Sequence, residues 1–267
     1  MQVYCETTLN YAAGKDVLPV TVQITNGRTA KDLSFTESGF ELLRHLSIVR
    51  DWNDPDEIDR VHYSEIRDLA KRLSGCDWVL FFPAVVRSPA VAAKTKDYHP
   101  IQFVHSDYTE SYPSVVQDRT KPYHQIIAPY MADEGISADD VEKARRILTL
   151  QFWRNIGPEV MDYPLCFCDS RSVMRDELSP ILVADYGGVK TEFETFMVNP
   201  PEKDTHEWYA FPAMKPDEVV VFRSFDSDCV ASGLPFWTPH SAFLDPTAPA
   251  DAPARESIEM RAICLFK

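Results

Sequence analysis

His105-Ser106-Asp107 sets an imidazole and a carboxylate two positions apart, directly behind the β-type run 101–104. Side chains at i and i+2 of an extended segment point to one face, so both can converge on one metal ion from a rigid support. A second imidazole stands far along the chain at His240, within Trp237-Thr238-Pro239-His240-Ser241-Ala242-Phe243. Two histidines and one carboxylate leave positions on an iron(II) ion open for substrate and oxygen, and the same donors also suit the zinc of a hydrolase. Fifteen residues after His240, Arg255-Glu256-Ser257 offers a guanidinium and a hydroxyl on one strand face. The planar fork of arginine binds a carboxylate bidentately. An oxygenase that consumes 2-oxoglutarate needs such a cation for its far carboxylate; Arg255 and Ser257 are the candidates for that role, with Arg261, of the same parity, as the second choice. Each fragment alone has a plainer explanation: a surface histidine beside a solvated aspartate, or Arg261 paired with Glu259. The order along the chain is what makes the set specific.

Such residues need a strand-rich support, and the chain supplies one. Residues 1–26 alternate in places and end at the turn signal Asn26-Gly27. Residues 34–48 predict a small strand and turn. Asp54-Pro55-Asp56-Glu57 caps a helix carrying Ile58, Val61, Ile66, Leu69, Ala70 and Leu73, which Gly75 stops. The apolar run 76–82 predicts a buried strand, 83–100 a loop, and 110–135 an irregular polar segment. Ser137-Ala138-Asp139-Asp140 opens a second predicted helix with Val141, Ala144, Ile147 and Leu148 on one face. Short strands are expected at 150–153, 165–168, 181–184, 191–198, 207–212, 219–222 and 255–266, with Gly187-Gly188 as an isolated turn. His240 is expected to follow the 219–222 strand across a turn, as a neighbouring strand would. A helical first third followed by about eight antiparallel strands fits a double-sheet jelly roll. The whole of 1–267 reads as one domain, an N-terminal α/β portion to about residue 100 and a jelly-roll core beyond it.

Composition narrows the function classes. The 267 residues carry a formal net charge of −14, which argues against nucleic acid or an anionic membrane as partner. No apolar run approaches a membrane span, and residues 1–10 show no secretory signal. Six scattered cysteines without a disulfide spacing, five of them expected as buried small hydrophobes, suit a reduced, cytoplasmic protein. Twenty prolines against nine glycines, with no clustered glycine loop, remove nucleotide-binding folds and methyltransferases from consideration. His45, His62, His99, His124 and His206 are expected to be structural or superficial. Arg154, beside Trp153 on an expected inner strand, is the candidate for anchoring a substrate carboxylate. Tyr108, Trp153, Trp208 and Trp237 are candidate pocket walls.

The succession His105-x-Asp107, His240, Arg255-x-Ser257 resembles the iron(II)/2-oxoglutarate-dependent oxygenase superfamily. A wider set is similar to the fungal AsaB-type hydroxylase/desaturase family, also known as CmcJ-like or gibberellin-desaturase-like. It comprises Gly39-Phe40-Glu41-Leu42, His105-Ser-Asp-Tyr-Thr109, Phe152-Trp153-Arg154, Pro164-Leu165, Trp208-Tyr-x-Phe-Pro212, Met214-Lys-Pro-Asp-Glu218, Phe225-Asp-Ser227, His240-Ser-Ala-Phe243 and Arg255-Glu-Ser-Ile-Glu-Met-Arg261. The likeness runs from about residue 30 over most of the chain. It implies a mainly β, cupin-like double-stranded β-helix (jelly roll) with flanking N-terminal helices. It also implies Fe(II) and 2-oxoglutarate as cofactors, molecular oxygen as co-reactant, and hydroxylation, desaturation or oxidative cyclisation of a small molecule in fungal secondary metabolism. The alternatives are a non-haem iron oxidase that acts without 2-oxoglutarate, and a cupin-like binding module without turnover. The gap between His240 and Arg255 exceeds that of the plant-type members. Substrate identity, reaction outcome and oligomeric state are not written in these residues.

Overall fold

The computed structural model describes residues 1–14, 16–186 and 191–267, so the turn expected at Gly187-Gly188 lies outside the described residues. Among the described residues, thirteen strands, numbered along the chain, form two sheets. The larger runs β1 (Val3–Ala13), β2 (Asp16–Asn26), β10 (Trp208–Ala210), β7 (Leu165–Cys168), β12 (His240–Ala242), β5 (His105–Ser106), β9 (Glu192–Val198), β8 (Leu178–Ala184). The smaller runs β3 (Phe40–Arg44), β11 (Glu218–Asp226), β6 (Arg146–Asn155), β13 (Ser257–Phe266), β4 (Trp78–Arg87). Pairing is antiparallel except between β10 and β2. The expected jelly roll with a flanking N-terminal helix is the fold observed.

Strand parity sorts the smaller sheet into two faces. On β6 and β13, Leu148, Leu150, Phe152, Met260, Ala262 and Cys264 point outward and pack with Ile66, Leu69 and Ala70 of the helix Tyr63–Ser74. Their odd-numbered neighbours Thr149, Gln151, Trp153, Ser257, Glu259 and Arg261 face the larger sheet, because side chains alternate along a strand. The helix begins where expected: the Asp54 side chain accepts from the Asp56 N–H, and a π-helical turn at Ile58–His62 precedes Tyr63–Ser74. Gly75 ends it at φ +69°, a left-handed conformation suited to glycine.

Several expectations are corrected. The N-terminal third is largely β, since β1 and β2 extend the larger sheet while β3 and β4 edge the smaller one. Residues 110–135 are not irregular: helices Tyr112–Gln117 and Pro122–Glu134 lie there. The second contains Pro129 and spreads its apolar residues around the axis, so no single stripe announced it. Its buried residues Tyr123, His124 and Ile127 lie on one face, where Tyr123 stacks on Phe82 and Tyr130 on Tyr63, while the apolar Pro129 and Ala132 are exposed on the other. The helix opened by Ser137 stops at Glu142, and Ile147 and Leu148 already belong to β6. Residues 83–87 continue β4, and 89–92 form a short helix, where a loop was expected. The strand β11 and the strand of His240 lie in opposite sheets rather than side by side. Five cysteines are buried and Cys229 is half-buried; all six are free thiols.

Candidate metal centre

His105 and His240 face each other as the one paired position between β5 and β12, their ring centroids 4.3 Å apart. Asp107 follows β5 immediately. One ligand atom from each of the three residues lies within 4.8 Å of the others. Both imidazoles are held in one tautomer. Nδ1 of His105 lies 2.8 Å from the Phe103 carbonyl and Nδ1 of His240 lies 3.0 Å from the Thr238 carbonyl. A carbonyl can only accept, so each Nδ1 carries the proton and each Nε2 keeps its lone pair for a metal. Burial, together with the neighbouring His240, pushes the His105 imidazole down to about 4, so it is neutral at neutral pH.

The smaller sheet orients the carboxylate. Ser224 of β11 donates to Oδ2 of Asp107 at 2.7 Å, and the Arg261 guanidinium of β13 lies 3.3 Å from Oδ1. Burial acts to raise the Asp107 pKa. The Arg261 cation and the two imidazoles outweigh it and hold the carboxyl well below the usual range. The arrangement fits a divalent ion: two neutral nitrogen donors, one anionic oxygen and second contacts that fix all three.

Beside the triad, a narrow cleft is lined by Arg87, Ile101, His105, Gln151, Leu165, His240, Arg255, Glu259 and Arg261. Its charges do not balance internally. Arg87 makes a two-pronged contact with Glu259 at 2.8 and 3.2 Å, and Arg261 pairs with Asp107. Glu259 is drawn down to about 2; burial opposes this, and Arg87 and Arg261 prevail. Among the described residues, Arg255 alone of the three arginines has no carboxylate contacting its side chain. Its guanidinium donates to the Tyr163 carbonyl at 3.2 Å and lies 5.8 Å over the Trp153 ring, while its Nε has no partner. Burial, then repulsion by Arg87, pushes it down to about 9. The Ser257 hydroxyl and Gln151 Oε1 are likewise buried without partners among the described residues. A buried cation with unspent donors, with an unpartnered hydroxyl two residues along the chain, is a socket for an anion; Gln151 Oε1, an acceptor, would face a donor instead.

A second cavity of about 100 Å³ opens on the other side, lined by Phe82, Ile101, His105, Asp107, Tyr108, Val183, Tyr186, Phe193, Thr195 and Arg261. Larger cavities exist, including one of about 260 Å³ behind Trp153 and Phe167, but it contains none of the three ligand candidates. Donor chemistry, not volume, locates the centre.

Of the expected substrate contacts, only Tyr108 lines a cavity at the triad. Arg154 points to the opposite face of β6, where it binds the carbonyls of His45 and Pro216 and Nδ1 of His45, so it does not anchor a substrate carboxylate here. The parity that puts Gln151 inside puts Arg154 outside. Trp153 walls the 260 Å³ cavity instead, and Trp237 packs edge-on against Phe236 in the core. Trp208 is also core, its indole donating to Tyr11. Ser224, Thr238, Gln151 and Arg87 are site residues that the sequence reading passed over. Parity with Trp153 was a usable signal for Gln151; the others are brought in only by sheet packing.

Residues 6–265 match the family described as "Oxidoreductase/YMDC permease-like domain". The chain belongs to this family. Among curated proteins, this oxidoreductase-family chain is similar to the Fe(II)/2-oxoglutarate-dependent dioxygenase nvfI of Aspergillus novofumigatus, 26% identical over 98% of this chain and 97% of that protein. It is also similar to the hydroxylase/desaturase CTB9 of Cercospora beticola, 27% identical over 92% of this chain and 76% of that protein. Among solved structures, the iron and alpha-ketoglutarate-dependent endoperoxidase NvfI superposes with a TM-score of 0.77 at 22% identity, covering 100% of this chain and 99% of that one, which shows the fold.

Proposed function

We propose that this chain is a non-haem Fe(II)/2-oxoglutarate-dependent oxygenase that hydroxylates, desaturates or oxidatively cyclises a small molecule. The observation that carries the reading is Arg255: fully enclosed, without a carboxylate, and opening on the same cleft as His105 and His240. His105, Asp107 and His240 would hold the iron. Arg255 and Ser257 would take the distal carboxylate of 2-oxoglutarate, and Arg261 serves the metal ligand Asp107 rather than the cosubstrate. The names of the relatives support the same cofactors and a role in fungal oxidative tailoring. When bound, ferrous iron and 2-oxoglutarate supply the oxidising power from molecular oxygen. The chain's own part is to fix three ligands, neutralise the cosubstrate anion and hold the reacting carbon in a cavity screened from water.

The test is an anaerobic titration of the protein with Fe(II) and 2-oxoglutarate. A visible charge-transfer band should appear, and His105→Ala or Asp107→Ala should abolish both the band and iron-dependent succinate formation. Full succinate formation in either variant would sink the ligand assignment. Absence of the band in the unaltered protein would favour a zinc hydrolase or a binding module.

A further inference from the structure

We infer that the substrate presents an uncharged, apolar end to the metal centre. The inference rests on the iron/2-oxoglutarate reading above. The 100 Å³ cavity on the Asp107 side is walled by Phe82, Ile101, Tyr108, Val183 and Phe193. Its polar wall groups are already engaged within the protein. Tyr186 accepts from Arg87 at 2.8 Å, Thr195 donates to the Ser106 carbonyl at 2.7 Å, and the Tyr108 hydroxyl meets that of Tyr123 at 3.4 Å. The one cation on this wall, Arg261, lies between Asp107 at 3.3 Å and Glu259 at 3.8 Å. Among the described residues, no side chain lining the cavity carries an unpaired charge.

This is the opposite of the cleft on the other side of the triad, where Arg255 keeps unspent donors. An anion entering this cavity would lose its hydration against rings and aliphatic carbons, and Arg261, the one cationic side chain of its wall, already lies between two carboxylates, which disfavours it. A flat hydrocarbon face meets only ring edges and aliphatic carbons. The same strand face continues outward: Ile181, two residues from Val183 on β8 and paired with Thr195, is 39% exposed. A cavity of this size holds the reacting end, and the apolar remainder of a larger molecule can lie along Ile181.

A matched pair of probes tests this, 2-methylnaphthalene and 2-naphthoate, alike in shape and different in charge. The anaerobic protein is first loaded with Fe(II) and 2-oxoglutarate; a missing charge-transfer band there defeats the oxygenase reading itself, separately from the present inference. With the band in place, 2-methylnaphthalene should perturb it saturably, and 2-naphthoate should bind at least about tenfold more weakly, the equivalent of about 1.4 kcal/mol. Val183→Lys, which adds a cation to a half-buried wall position, should reverse the preference. Leu182→Lys, one residue away on the other face and 65% exposed, should leave it unchanged. The inference is overturned by equal or tighter binding of 2-naphthoate to the unaltered protein, by no saturable response to 2-methylnaphthalene, or by a Val183→Lys protein that keeps the original order.

Discussion

At the scale of single residues, the decisive contrast is between three arginines on one cleft. Arg87 and Arg261 are committed to Glu259 and Asp107, and Arg255 is not. Burying a guanidinium without a counter-ion is unfavourable, so the site stores a preference for an anion. Arg255→Gln is therefore expected to weaken 2-oxoglutarate binding at least about tenfold while leaving metal affinity near its original value, checked by calorimetry with Mn(II) in place of Fe(II). The pH dependence follows in sign. Only the charged form of Arg255 attracts the carboxylate, and burial has lowered its pKa to about 9, so affinity should fall as pH rises through about 9. Arg255→Gln should lose that fall; an unchanged pH profile would show that Arg255 is not the anchor.

At the scale of elements, the two sheets do different work on the triad. The larger sheet delivers His105 and His240 as a directly paired couple, and the smaller sheet reaches across with Ser224 and Arg261 to set Asp107. The junction is Thr238. Its hydroxyl donates to the Arg223 carbonyl at 2.7 Å, its N–H donates to Ser106, and its carbonyl holds His240. Gly39 packs against it at φ +96°, and a Cβ there would stand 2.4 Å from the Thr238 hydroxyl oxygen. Gly39→Ala should thus displace Thr238 and lower iron affinity, measured by anaerobic equilibrium dialysis; wild-type affinity would refute the coupling. The outer face behaves otherwise. Ile66 is fully buried between helix and sheet, far from the ligand face. Ile66→Ala should cost about 2–5 kcal/mol in urea unfolding. The protein that remains folded should keep its charge-transfer band.

At the scale of the whole molecule, ligands that bind only the folded chain should stabilise it by mass action. Metal alone at a hundred times its dissociation constant adds about 2.7 kcal/mol. For a chain of this size that amounts to a rise in Tm of roughly 5–10 °C. A chelator should remove the shift, and His105→Ala should never show it; a shift that survives both would mean stabilisation from elsewhere. No helix among the described residues is long and apolar enough to cross a membrane.

The sequence by itself determined which residues are candidates for the chemistry. Residue type, two-residue spacing and chain order singled out His105, Asp107, His240 and Arg255, because donor identity and strand parity are local properties. It also determined most strands and the helix ended by Gly75, whose signals lie within a few residues. What only the tertiary structure decided was which charges are already paired. Arg154, Arg255 and Arg261 look alike in a string of letters, yet Arg154 caps carbonyls on the outer face, Arg261 steadies the Asp107 carboxylate and Arg255 is left open. The helix Pro122–Glu134, which buries His124 and exposes Pro129 and Ala132, shows no apolar stripe and was hidden too. Long-range packing sets both outcomes, and a partner a hundred residues away leaves no mark in the local pattern.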